Sequence, residues 1–321
     1  MTASGPRIEV VNDNVLNFKC DVLVLKYAQA WHGADLAVAK NLNFGPFWDA
    51  PHPGEYRTAK PDPASKIMAP LLVFIGCPPF SNITYKTIRD LGKTAITTLD
   101  VVAPNVRHIA MTMHGVNFGM DEKESFLAQI AGMLGALDDD SILSDLELIS
   151  IVEFKKDRAE RLAILLHDNQ VERITRSAKK PDLTRSVAQA GLSTKEKPHI
   201  FVAMPFTDDM EDVYTFGILG PVQDAGLLCE RVDMDVFTGD ILDRIKSRIG
   251  TAALVIADLT GSNANVYLEV GYAWGCHRKT LLLCKIIDDL KFDVKGQRCL
   301  IYSSIRDLNK KLTEELRILI K

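Results

Sequence analysis

No cysteine pair, no excess of positive charge and no long apolar run occurs in this sequence, and each absence removes a class of function. The six cysteines, Cys20, Cys77, Cys229, Cys276, Cys284 and Cys299, stand singly, mostly inside apolar runs such as LLLCK. Without a CxxC pair they suggest neither zinc nor redox chemistry and read as reduced core residues. Lysine and arginine number 38 against 42 acidic residues, a formal charge of -4, so no overall positive field exists to hold a nucleic-acid polymer. No apolar stretch approaches the roughly 20 residues of a membrane helix, and the start, MTASGPRIEV, lacks the apolar segment of a secretory signal. The expectation is a cytoplasmic protein with no membrane partner. There is no internal repeat and no low-complexity tract.

What is present is enough apolar material for more than one core: 321 residues, 47% hydrophobic. In the first half IEVV, DVLVLK, LLVFIG, RHIAMTMH and LELISIVEF read as strands between helical patterns. A Gly- and Pro-rich stretch, GPFWDAPHPGEYRTAKPDPAS, interrupts them; it promises little regular structure and suggests a binding loop or flap. The polar run TRSAKKPDLTRSVAQAGLSTKEKPH precedes a second alternation of strands (HIFVAMPF, LLCERVD, ALVIADL, KTLLLCKI) and helices (VYTFGILGPVQDAG, GDILDRIKSRIGTA, NVYLEVGYAWGCH). We expect an α/β fold of two three-layer domains, Rossmann-like or macro-like, spanning 1–175 and 198–321 with a linker at 176–197. The second should carry a mainly parallel sheet.

Ligands of such sheets bind beyond the carboxyl ends of the strands. That points to MPFTDD, DMDVFTGD and above all ADLTGSNANVYLEVGYAWG. There a strand ends on Asp258, a Gly and Asn loop turns, and Asn265 is positioned to cap the next helix. Glu269 then falls in or just past the first turn, where the helix dipole should lower its pKa and keep it anionic. A permanent carboxylate at a cleft mouth suits stabilisation of, or attack on, a cationic sugar carbon during N-glycosidic cleavage. Gly271 and Ala273 leave room beside it, and Tyr272 shares its face and can pack on a ribose or base. An acidic residue in a first turn is also an ordinary dipole stabiliser, but YLEVGYAWG is otherwise apolar, and an idle charge there would be costly.

IFVAMPF, the GDILDRI helix, ALVIADLTGSNANVYLEVGYAWG and KFDVKGQRCLIY together resemble the bacterial TIR-like proteins of the nucleoside 2-deoxyribosyltransferase-like fold, over about Lys197 to Lys321. By that resemblance Glu269 corresponds to the catalytic carboxylate. Asp258 and Tyr272 match positions lining the sugar pocket, and Met204, Pro205 and Phe206 match the loop beneath the nucleotide, with Asp240 near a second acidic position. The glycine-rich first loop of true deoxyribosyltransferases is missing, which argues against free deoxynucleosides as substrates. Nicotinamide on ribose is already cationic and leaves without protonation, so one carboxylate suffices for it, whereas a neutral base needs a general acid as well.

In the first half, the apolar strand after Asp21 and the turn from Gly115 to Gly119 before a helical pattern resemble macro domains and the amino-terminal domain of leucyl aminopeptidases, over roughly Arg7 to Leu166. The resemblance matches Asp21 to an adenine-contacting acid and Gly115, Val116, Asn117, Phe118 and Gly119 to a phosphate loop; a plain tight turn explains those glycines equally well. His114, His32 and Asp35 lie on separate segments without ligand spacing and read as satisfied or exposed, so no metal is expected. Trp31, Trp48 and Phe44 read as packing residues that can also stack on a base.

The combined expectation is a nucleotide-regulated N-glycosidic hydrolase, an antiviral effector in kind. It would need no cofactor, take NAD or a related nucleotide as substrate, be activated by a nucleotide small molecule, and work as a homo-oligomer. Two alternatives stay open: a nucleoside or nucleotide deoxyribosyltransferase or hydrolase, and a non-enzymatic nucleotide-binding signalling module.

Overall fold

The computed structural model describes residues 5–42, 48–116, 119–138, 141–168, 198–232, 239–286, 290–291, 294 and 296–320. The chain divides into two compact units, Met1–Val116 with Glu122–Thr194, and Asn117–Asp121 with Lys195–Lys321. The expected linker at 176–197 lies outside the described residues. No helix among the described residues is long and apolar enough to cross a membrane.

In the first unit the chain runs β1 (Arg7–Asn12), β2 (Val22–Tyr27), α1 (Gly33–Leu42), β3 (Tyr56–Ala59), β4 (Leu71–Gly76), α2 (Tyr85–Val102), β5 (His108–Thr112), α3 (Glu122–Leu137), β6 (Leu148–Glu153) and α4 (Lys156–Asp168). The sheet order is β1-β6-β5-β2-β4-β3, and every pair is parallel except β3 with β4. Parallel strands are covered on both faces, so both sets of alternating side chains must be apolar. Leu23, Leu25, Leu72 and Phe74 join Val38 of α1 in one core. Val22, Val24, Val73 and Ile75 are equally sealed on the other face, where α2 packs on β4.

The Gly- and Pro-rich stretch holds more order than its composition suggests. Tyr56–Ala59 forms an antiparallel edge strand on β4, with the prolines outside it and Arg57 paired to Asp49 at 2.6 Å. An edge strand needs ladder bonds on one side only and tolerates charge, which is why its exposed, half-buried alternation escaped an apolar pattern search.

The second unit runs β7 (His199–Ala203), α5 (Asp208–Asp212), a π-helical segment (Val213–Leu219), α6 (Gly220–Asp224), β8 (Leu228–Glu230), α7 (Gly239–Thr251), β9 (Leu254–Asp258), α8 (Ala264–Gly275), β10 (Thr280–Cys284), β11 (Cys299–Ile301) and α9 (Ile305–Leu319). Its sheet is all parallel in the order β11-β10-β9-β7-β8. Ile200, Val202, Leu254 and Ile256 pack with Ile218, Val222, Leu308 and Leu312 on one side. Phe201, Ala203, Val255 and Ala257 pack with Ile249, Val266 and Val270 on the other. Both units are therefore α/β, and the second is a parallel sheet between two helical layers.

Helices α2 and α3 approach so closely that glycine is required at the contact. A Cβ at Gly132 would lie 1.9 Å from the Arg89 carbonyl oxygen, and one at Gly92 would lie 2.3 Å from that of Gln129. Gly135, on the exposed side of α3, faces open space. Gly132→Ala should destabilise the protein by about 3 kcal/mol or more. Gly135→Ala should stabilise it by roughly 0.5–1 kcal/mol through helix propensity. Urea unfolding checks this, and equal effects at the two positions would contradict the close helix contact.

Candidate active site

From β7 the chain passes to β8 on one side and then crosses to β9 on the other. The strand order thus reverses at β7, and a crevice opens between the carboxyl ends of β7 and β9. Met204, Pro205 and Phe206 leave β7 at this edge, and Asp258 ends β9 at the same edge. A tight turn, Thr260–Ser262, follows, with Gly261 at φ 73° and Ser262 at φ 53°. Left-handed backbone at the non-glycine Ser262 is a strained conformation of the kind that clusters at ligand loops.

The capping residue of α8 is Asn263, not Asn265. The Asn263 side-chain oxygen accepts from the N–H groups of Asn265 at 2.9 Å and Val266 at 3.4 Å. Either asparagine satisfies the cap preference, and only the backbone decides which one precedes the first helical residue. Asn265 is the second residue of the helix.

Glu269 is accordingly the sixth residue of α8, about 7.5 Å along the axis from the first, beyond the turn to which the dipole acts. It is only 7% exposed. Burial pushes its carboxyl from 4.5 up to about 8, and no charge or hydrogen bond among the described residues offsets this. This overturns the expectation of a lowered pKa: desolvation of the ionised form dominates where the dipole no longer reaches. At neutral pH the free protein therefore carries Glu269 mainly protonated. Such a group can donate its proton, or release it when a cation is brought against it.

The surrounding positions divide. Gly271 faces open space, whereas Ala273 is sealed in the core. Tyr272 emerges at the surface, 37% exposed. Asp258 is fully buried; its carboxylate accepts from the Tyr302 hydroxyl at 2.8 Å and the Thr260 N–H at 3.0 Å, so it fixes the turn from inside the wall. Met204 and Pro205 are buried, and Phe206 is half-buried beneath the guanidinium of Arg231, which lies 4.6 Å from its ring centroid. Asp240 lies at the start of α7, and its side chain is outside the described residues.

In the first unit the order reverses at β2, so the corresponding crevice lies between the carboxyl ends of β2 and β5. Asp21 precedes β2 and sits at the opposite end, where its carboxylate accepts from the N–H groups of Arg107 at 3.1 Å and His108 at 2.8 Å. These bonds join two strand starts through one carboxylate oxygen, and the side chain is exposed. Gly115 turns the chain past β5 at φ 91°, and Gly119, at φ 87°, belongs to the second unit. Val116 is half-buried, and Asn117 and Phe118 lie outside the described residues. A Cβ at Gly119 would meet a Val232 methyl carbon at 2.3 Å, so packing by itself requires glycine there.

The same edge holds a polar group that sequence spacing did not reveal. Lys26, Asp35, His32 and His114 are all buried, and Lys26 forms an ion pair with Asp35. Among the described residues neither ring nitrogen of His114 has a partner, nor does Asp35 Oδ1. Burial, reinforced by the Lys26 charge, holds the His114 pKa well below its ordinary value, and burial raises that of Asp35 despite Lys26. The expectation of satisfied or exposed histidines is thus corrected for His114. Trp31 and Trp48, both half-buried, pack 5.0 Å apart against Tyr27 and Phe74 at the margin of the core; Phe44 lies outside the described residues.

No family model matches the sequence, and no curated protein matches it. Among solved structures, a mutant of the Oceanobacillus iheyensis macrodomain with ADPR is similar at 14% identity and a TM-score of 0.39, covering 50% of this chain and 92% of that one. Alphavirus P23pro-zbd is similar at 12% identity and a TM-score of 0.41, over 94% of this chain and 46% of that one. A tomato leucine aminopeptidase mutant is similar at 10% identity and a TM-score of 0.34, over 88% and 82%. Likeness at this level transfers no activity.

The buried Glu269 carboxyl has a consequence for stability. The folded protein binds this proton more tightly than the unfolded chain, so its contribution is whole below about pH 4.5 and is lost as pH rises through about 8. Wild-type stability should therefore fall relative to Glu269→Gln over that interval, by on the order of a few kcal/mol. Melting temperatures across the range test it; parallel curves for the two proteins would show that the carboxyl is not desolvated.

Proposed function

We propose that the second unit cleaves the N-glycosidic bond of NAD or a related nucleotide, with Glu269 as the catalytic carboxyl. The carrying observation is that Glu269 is buried, with no compensating charge among the described residues, on the helix that follows the β7/β9 crevice, where burial pushes its carboxyl up to about 8. An ionisable group held so far from its ordinary range without a structural partner is characteristic of a site. A nicotinamide riboside is cationic, so its arrival beside Glu269 favours loss of the proton. The carboxylate then faces the positive charge that spreads onto the sugar carbon as the bond breaks. The bonding pair leaves with the nicotinamide ring nitrogen, which becomes neutral. Water adds its oxygen to the sugar carbon and gives up a proton to Glu269 or solvent.

The raised pKa also supports a second reading, cleavage of a neutral nucleobase, in which the protonated Glu269 acts as general acid. This is the nucleoside or nucleotide hydrolase or transferase alternative. We further propose that the first unit is the nucleotide sensor, with its ligand at the β2/β5 edge. The turn at Gly115 past β5, and the polar atoms of His114 and Asp35 that have no partner among the described residues, support that placement.

Two measurements separate these outcomes. Glu269→Gln should lower glycosidic cleavage by at least about a hundredfold while the protein stays folded. In the wild type, kcat/KM for NAD should rise with pH through about 8, because the required form is the carboxylate. A profile that falls through the same value, with nucleoside monophosphates as better substrates, supports the acid role. NAD loss is to be followed against a panel of cyclic nucleotides and ADP-ribose derivatives. A fully active Glu269→Gln protein would overturn the assignment.

A further inference from the structure

Arg231 is the first residue beyond β8, at the carboxyl edge of the second sheet. Its guanidinium lies over two aromatic rings, 3.9 Å from the Tyr214 centroid and 4.6 Å from that of Phe206. Tyr214 belongs to the π-helical segment. Held against these rings, the guanidinium acts through the N–H groups at its edge. On that edge Nη2 donates to Glu211 Oε2 at 2.6 Å, while Nη1 points at the thioether sulfur of Met204 at 3.8 Å.

We propose that Arg231 binds a phosphate of the nucleotide whose glycosidic bond is cleaved beside Glu269, so that the second unit acts on phosphorylated nucleotides and not on free nucleosides. This rests on the glycosidase assignment above. Three observations carry it. The side chain is 9% exposed, yet among the described residues one of its charged N–H arms meets only a thioether, a weak acceptor, where a buried cation calls for a strong one. The rings hold the planar fork in one orientation, which is the preorganisation that bidentate phosphate recognition uses. Finally, Met204 and Phe206 belong to the loop that borders the β7/β9 crevice, so the spare arm lies at the edge where a ligand of this sheet sits. Glu211, 31% exposed and joined to Arg231 by a single short bond, is then a resident anion that an incoming phosphate displaces or shares.

The competing account is that Arg231 merely fastens the helical segment carrying Glu211 and Tyr214 to β8. Calorimetric titration of the full chain with ADP and with adenosine separates the two. Arg231→Lys keeps the charge but loses the fork; it should weaken ADP binding by about tenfold or more and leave adenosine binding unchanged. Glu211→Gln, which leaves Arg231 and both rings in place, should strengthen ADP binding several-fold and carries the test if the lysine variant melts early. The proposal is overturned by ADP affinity that ignores both substitutions, by absence of ADP binding, or by equal weakening of ADP and adenosine. Repeating the titration in Glu269→Gln keeps the two assignments apart. ADP binding needs no turnover, so an active Glu269→Gln protein defeats the glycosidase assignment, and indifference to Arg231 defeats only the phosphate assignment.

Discussion

Parallel strands buried on both faces are the constraint on which the rest of this protein depends. When Ile200 and Val202 face one helical layer and Phe201 and Ala203 the other, no position inside the sheet can hold a solvated polar group. Polar chemistry is driven to the strand ends, and the order of the strands decides which end pair is open. Both units obey this. In the second, the reversal at β7 gathers Met204, Phe206 and the turn after Asp258 at one edge; in the first, the reversal at β2 gathers Lys26, Asp35 and His114. The uncompensated burial of Glu269 follows from the same packing, because α8 must press Val266, Val270 and Ala273 onto the sheet and carries Glu269 down with them.

Much of the fold was legible because the signal is local. β2, β4, β7 and β9 are apolar runs bounded by polar turns, and each forms where periodicity places it. β3 was not legible, since an edge strand such as Tyr56–Ala59 has no buried face to imprint a pattern. Nor was the π-helical segment, whose departure from α geometry coincides with the approach of α9: a Cβ at Gly217 would lie 2.8 Å from a Leu308 methyl carbon. That neighbour is distant in sequence.

For the candidate site, the sequence placed the strand end and the following helix and missed the electrostatics of Glu269. Shifting the cap from Asn265 to Asn263 moves Glu269 two positions deeper into the helix, out of the dipole's range and into an apolar setting, and this reverses the direction of its pKa shift. Asp258 is correctly placed at the strand end, but its oxygens turn to Tyr302 and Thr260. Lys26 was the overlooked signal in the first unit: a lysine inside VLVLKY must bury its charge or lose it, which implies an unseen carboxylate partner, here Asp35. His114 and Arg231 offered no comparable clue, because their surroundings are assembled from several elements.

The most direct test of the central claim is to follow the Glu269 side-chain carboxyl carbon by NMR as a function of pH, in the free protein and with NAD. A buried, uncompensated catalytic carboxyl should titrate near 8 in the free protein and at lower pH once the cationic substrate is bound. A titration near 4.5 that NAD leaves unmoved would show that Glu269 is solvated and that no cation is brought against it.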